Sequence, residues 1–100
     1  MFTFDVKNND GVVEVNLKGR LDATVAPQLH GELAKLEGSE IKRIVFNAKE
    51  LEYIASAGLR VIVFSKQKLG MNAEVVMKDV QDDVRGVLKM TGCLSFITLE

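Results

Sequence analysis

The chain has 100 residues, 47% of them apolar and 27% charged, and its 13 basic and 14 acidic side chains leave a formal net charge of −1. That length and composition suit one globular domain, 1–100, with a single core, and exclude a disordered chain. Balanced charge without a lysine or arginine block excludes the electrostatic footprint of direct nucleic-acid binding.

No apolar run approaches the roughly 20 residues that cross a bilayer, so no membrane span is expected. Cys93 is the only cysteine, which rules out a disulfide within the chain and fits a reducing compartment. The start, MFTFDV, lacks the basic and long apolar regions of a signal peptide. A cytoplasmic location is the expectation.

Phe2, Phe4 and Val6 alternate with Thr3 and Asp5, the period of a strand with one buried face. NNDG (Asn8 to Gly11) is a turn cluster, and Val13, Val15 and Leu17 then alternate with Glu14, Asn16 and Lys18. Together they predict a hairpin. Next, Thr24 is placed to cap a helix whose first turn tolerates Pro27. Val25, Leu29, Leu33 and Leu36 give that helix its apolar face, with a stop near Gly38.

RIVFN (Arg43 to Asn47) is short, β-branched and apolar, as in a strand buried on both faces. AKELEYIASAG, from Ala48 to Gly58, reads as a connector. Leu59, Ile62, Val63 and Lys66 share one side of a second helix ending at Gly70. AEVVM (Ala73 to Met77) predicts another strand. Asp79 is then the expected cap of a third helix carrying Val80, Val84, Val87 and Leu88 and closed by Gly92. SFITL (Ser95 to Leu99) completes the order as an edge strand. The expected fold is α/β, a small mixed and mostly parallel sheet in the order β-β-α-β-α-β-α-(β).

Chemistry-bearing groups are few. His30 is expected on the polar side of the first helix, and Cys93 carries no mark of activation. One histidine and one cysteine, without ligand spacing, give no metal site, and no glycine loop offers a phosphate cradle. Asn47 takes the place where a phosphoacceptor aspartate would end a central strand. Glu50 with Glu52 and Asp82 with Asp83 read as solvated charge, and Met71, Met77 and Met90 as core or surface packing. No catalytic set and no cofactor are implied.

Ser56 remains, within YIASAGLRVI (Tyr53 to Ile62). Its hydroxyl reads either as a cap on the second helix, worth about 1 kcal/mol, or as a phosphoacceptor. A phosphate there adds about −1.5 to −2 charges beside a helix N-terminus, which favours an anion. The two readings are compatible.

GRLDATVAPQL (Gly19 to Leu29) and IKRIVFNAKELEYIASAGLRVIV (Ile41 to Val63) resemble the STAS family of anti-sigma factor antagonists. The likeness covers nearly the whole chain: the opening hairpin, the G-x-L-D turn, the apolar strand and the S-x-G-L helix start. It implies a partner switch. An unphosphorylated antagonist binds an anti-sigma factor that is also a serine kinase and frees a sigma factor. Phosphorylation releases it, and a phosphatase resets it. The family's phosphoserine falls on Ser56 and its partner-contacting loop aspartate on Asp22, with Thr24, Ala55, Ala57, Gly58 and Arg60 beside them. Ala55 and Ala57 depart from the acid and second hydroxyl usual around that serine, and Arg60 stands where a small residue is common. A STAS-like scaffold or adaptor that is never phosphorylated, and a small-ligand sensor, are the alternatives.

Overall fold

The computed structural model describes residues 2–35, 41–69, 73–92 and 97–100, which form a five-stranded sheet and three helices. Strand β1 (Thr3–Asn9) pairs antiparallel with β2 (Val12–Leu21), Asn9 lying opposite Val12. Asp10 and Gly11 between them both take positive φ, 50° and 89°, as a tight hairpin turn matched to strand twist requires.

Helix α1 (Ala26–Ala34) leads to β3 (Arg43–Ile54), α2 (Ser56–Leu69) to β4 (Glu74–Lys78), and α3 (Asp82–Met90) to β5 (Thr98–Leu99). The strands lie in the order β1-β2-β3-β4-β5, and every pair after the hairpin is parallel. Each parallel step contains one helix, and all three steps run the same way across the sheet. With a common hand, that winding puts all three helices on one face. Burial agrees. Val13, Val15, Ile44, Phe46, Val75 and Met77 of the sheet share one cluster with Leu29 and Leu33 of α1, Leu59 and Ile62 of α2, and Val84 and Leu88 of α3.

The opposite sheet face is polar. Asp5, Asn16 and Asn47 stand in one cross-strand row. Asn47 Nδ2 donates to Asn16 Oδ1 at 2.6 Å, and Asn16 Nδ2 donates to Asp5 Oδ2 at 3.4 Å. Val76 is buried on this face, and the Arg43–Glu100 ion pair at 2.6 Å spans β4 beside it.

Several expectations change. The connector after Asn47 is strand: β3 continues to Ile54, which puts Asn47 inside the strand and Glu50 and Glu52 on it. Two register shifts against β2 lodge two extra residues in β3, so its buried positions Ala48, Leu51 and Ile54 recur at three rather than two. Helix α1 stops at Ala34 with Lys35 as its C-cap, short of Gly38, which lies outside the described residues together with Leu36. Asp79 does not cap α3. It takes a positive φ of 56°, and Gln81 is the N-cap, its Nε2 donating to the Lys49 carbonyl at 2.9 Å. Gly92, at φ +75°, follows the C-cap of α3 as expected. Gly70, Met71, Cys93, Ser95 and Phe96 fall outside the described residues, and the last strand begins at Thr98, after Ile97. Among the described residues, no helix is long and apolar enough to cross a membrane.

Candidate partner-binding surface

Strands β2 and β3 end side by side, Leu21 opposite Ile54. The chain leaves β2 through Asp22 and leaves β3 through Ala55 into α2, so the two turns meet at the C-terminal edge of the sheet. Side chains from separate elements converge at such an edge in parallel α/β folds.

Asp22 organises the first turn. Its Oδ1 accepts hydrogen bonds from the Thr24 and Val25 amides at 3.0 and 3.4 Å, and its carbonyl accepts from the Val25 and Ala26 amides. Thr24 therefore does not cap α1, and the side chain that braces the turn before the helix is that of Asp22. The N-cap position of α1 is Val25, which makes no side-chain capping bond, and Thr24 is exposed.

Ala55 organises the second turn. Its amide donates to the Leu21 carbonyl at 2.9 Å, and its own carbonyl accepts the Leu59 amide at 3.1 Å, opening α2. Ser56 is the first helical residue and is exposed. Its hydroxyl makes no hydrogen bond to any described residue, so it is not held as a cap. Ala57 packs against the core cluster. Gly58 lies beneath the surface: a Cβ there would sit 2.6 Å from Leu21 Cγ and 3.0 Å from Ile54 Cγ1, so only glycine lets α2 approach the strand ends this closely.

Arg60 is exposed and borders two shallow hollows. One, about 390 Å³, runs between α1 and α2 past Ala23, Pro27, His30 and Phe64. The other, about 400 Å³, contains Ser56, Leu59, Val63 and Gln67. His30 is exposed as expected, yet its ring also lies 4.2 Å from that of Phe64, joining α1 to α2.

Sequence reasoning missed one pair. The Arg20 guanidinium sits 4.3 Å above the Tyr53 ring, and the two are register partners one position before Leu21 and Ile54. Tyr53 is 39% exposed, a large aromatic on the same rim. A correct β2–β3 register would have revealed the contact, but the register shifts hide it. Among the described residues, no group of three or more His, Cys, Asp or Glu could hold a metal ion.

The STAS domain family matches residues 3–100. The chain belongs to this family. A Bordetella bronchiseptica protein named as an anti-sigma factor antagonist, BtrV, is 36% identical over 87 residues, covering 86% of this chain and 75% of that one. The crystal structure of an anti-sigma factor antagonist from Mycobacterium paratuberculosis superposes on this STAS domain with a TM-score of 0.86 at 23% identity, covering 99% of this chain and 85% of that one. The phosphorylated form of the Bacillus cell fate determinant SpoIIAA gives a TM-score of 0.77 at 16% identity, covering 98% and 91%. At those identities the two structures speak for the fold, and they share the mixed, mostly parallel sheet with its helices.

Proposed function

We propose that this STAS domain is an anti-sigma factor antagonist: a cytoplasmic binding protein that engages an anti-sigma factor with serine-kinase activity and is released when Ser56 is phosphorylated. The observation that carries the reading is the exposed, unengaged Ser56 hydroxyl at the start of α2, brought beside Asp22 by the paired ends of β2 and β3. The name of the 36% identical Bordetella relative supports the antagonist role. The existence of SpoIIAA in unphosphorylated and phosphorylated forms supports a phosphorylation switch on this fold.

In the transfer, Ser56 Oγ forms a bond to the γ-phosphorus of ATP as the bond to ADP breaks. The hydroxyl proton passes to a base on the kinase, since Ser56 Oγ has no hydrogen-bond partner among the described residues to take it. The product adds about −1.5 to −2 charges to the rim, where they oppose whatever acidic groups of the partner faced Arg60 and the amides of α2. A phosphatase restores the binding form. Asp22 holds the neighbouring loop in shape, Gly58 sets the depth of α2, and Thr24, Ala55, Ala57 and Arg60 complete the contact surface. Direct contacts with nucleic acid or membrane have no part in this reading.

Incubation with the cognate kinase and ATP, followed by peptide mapping, is expected to place one phosphate on Ser56. An unmodified Ser56 after full turnover of the kinase on a control substrate would sink the switch and leave a constitutive adaptor.

A further inference from the structure

Arg60 follows Ser56 by one helical turn, and the two border the same hollow beside Leu59 and Val63. Residues four apart on a helix are surface neighbours. Two other charged groups near this rim are engaged. Asp22 Oδ1 accepts two backbone amides, and Arg20 lies over Tyr53. Arg60 is exposed, and its guanidinium forms no ion pair with any described residue. It is thus a cation with no partner among the described residues, placed one turn from the unbonded hydroxyl of Ser56.

We propose that Arg60 is the internal receptor for the phosphate on Ser56, so that phosphorylation withdraws a positive contact from the partner surface while adding a negative one. This rests on the reading that Ser56 is the phosphoacceptor. A phosphate offers three acceptor oxygens, and the guanidinium fork meets two of them with parallel N–H donors. The order is the favourable one: the anion at the N-terminal end of α2, the cation one turn toward its C-terminus. The arginine stem can lie along Leu59 and Val63 while its head turns back to the phosphate. In the unmodified protein the same head group faces outward and is available to an acidic group of the partner. One covalent event therefore changes two charges that the partner meets.

The test installs phosphoserine at position 56 during translation, without any kinase, in the native sequence and in Arg60→Gln and Arg60→Lys backgrounds. The second ionisation of the phosphate is then followed by phosphorus NMR at low salt. A neighbouring cation favours the dianion, so its pKa falls. The helix N-terminus acts equally in all three proteins and cancels. The phosphate is expected to titrate about 0.2–0.4 unit lower with Arg60 than in Arg60→Gln. Arg60→Lys should lie between, and the difference should shrink in about 1 M salt. The Arg60 Nε–H resonance should also move on phosphorylation, a readout that needs no variant. Identical titration in the native and Arg60→Gln phosphoproteins, with an unmoved Nε–H signal, overturns the proposal. Because the phosphate arrives without a kinase, that result leaves the phosphorylation reading standing, and failed kinase labelling leaves this measurement intact.

Discussion

The Ala55 amide donates to the Leu21 carbonyl at 2.9 Å, closing the last rung between β2 and the start of α2. That rung fixes the distance between the Asp22 turn and Ser56, although 33 residues separate the two in sequence. Asp22 then spends its carboxylate on the loop itself, through the Thr24 and Val25 amides. Asp22→Ala should therefore cost about 1 kcal/mol of unfolding free energy, as loss of side-chain hydrogen bonds to a turn's backbone does, while Thr24→Ala should be close to neutral. Urea denaturation of both variants checks this. Equal losses would mean that Thr24 holds this turn as much as Asp22 does.

Gly58 makes the second half of that arrangement possible. An added methyl would meet Leu21 Cγ at 2.6 Å and Leu21 Cδ2 at 2.9 Å, in a part of the core where Leu21 and Ile54 are buried. Gly58→Ala gains helix propensity of about 1 kcal/mol, yet overpacking of a dense core costs about 1–3 kcal/mol. The steric term should win. The variant should unfold at lower urea, and α2 should shift at its N-terminal turn, changing the amide resonances of Ala55 to Leu59. A variant more stable than the parent would mean that the Leu21 side chain yields without cost.

Much of this was legible in the residues. Val13, Val15 and Leu17 alternate and form the inner face of β2, and Leu29 and Leu33 mark the buried side of α1. Ala48 and the residues up to Ile54 were not legible as strand. Two extra residues accommodated against β2 turn the expected period of two into a spacing of three across Ala48, Leu51 and Ile54, a pattern that by itself argues against a strand. The same shifts conceal that Arg20 and Tyr53 face each other. Asp79 read as a cap from its residue type alone. The backbone instead uses it at positive φ, a conformation aspartate tolerates better than most side chains. Of the candidate surface, Ser56, Asp22 and Arg60 were named by sequence, but that Asp22 faces inward to its own loop, and that Ser56 is unbonded, are properties of geometry that no spacing encodes.

The Arg20–Tyr53 contact should contribute modestly. A guanidinium over an exposed ring is worth about 0.5–1 kcal/mol, and both partners stand on the sheet edge that presents the candidate surface. A double-mutant cycle with Arg20→Gln and Tyr53→Leu should return a coupling energy in that range by denaturation. In the partner-binding assay, Tyr53→Leu should weaken binding more than Arg20→Gln, since the ring is the larger buried contact in any complex that covers the rim. A coupling energy of zero would reduce the pair to two independent surface side chains.

Ser56 offers the sharpest separation of stability from function. Its hydroxyl makes no bond to any described residue, so Ser56→Ala should change unfolding free energy by no more than about 0.5 kcal/mol, the usual range for a surface substitution. A negative side chain at the first position of α2 interacts favourably with the helix N-terminus, by about 0.3–1 kcal/mol. Ser56→Asp should therefore fold at least as stably as the parent. Binding should run the other way: Ser56→Ala keeps its affinity for the anti-sigma factor, and Ser56→Asp loses it. Stability measured by urea and affinity measured by titration calorimetry on the same two variants decide the matter. A cap would show itself as a loss of about 1 kcal/mol in Ser56→Ala with binding unchanged in both variants, because a hydroxyl that serves only the helix gives a partner nothing to read.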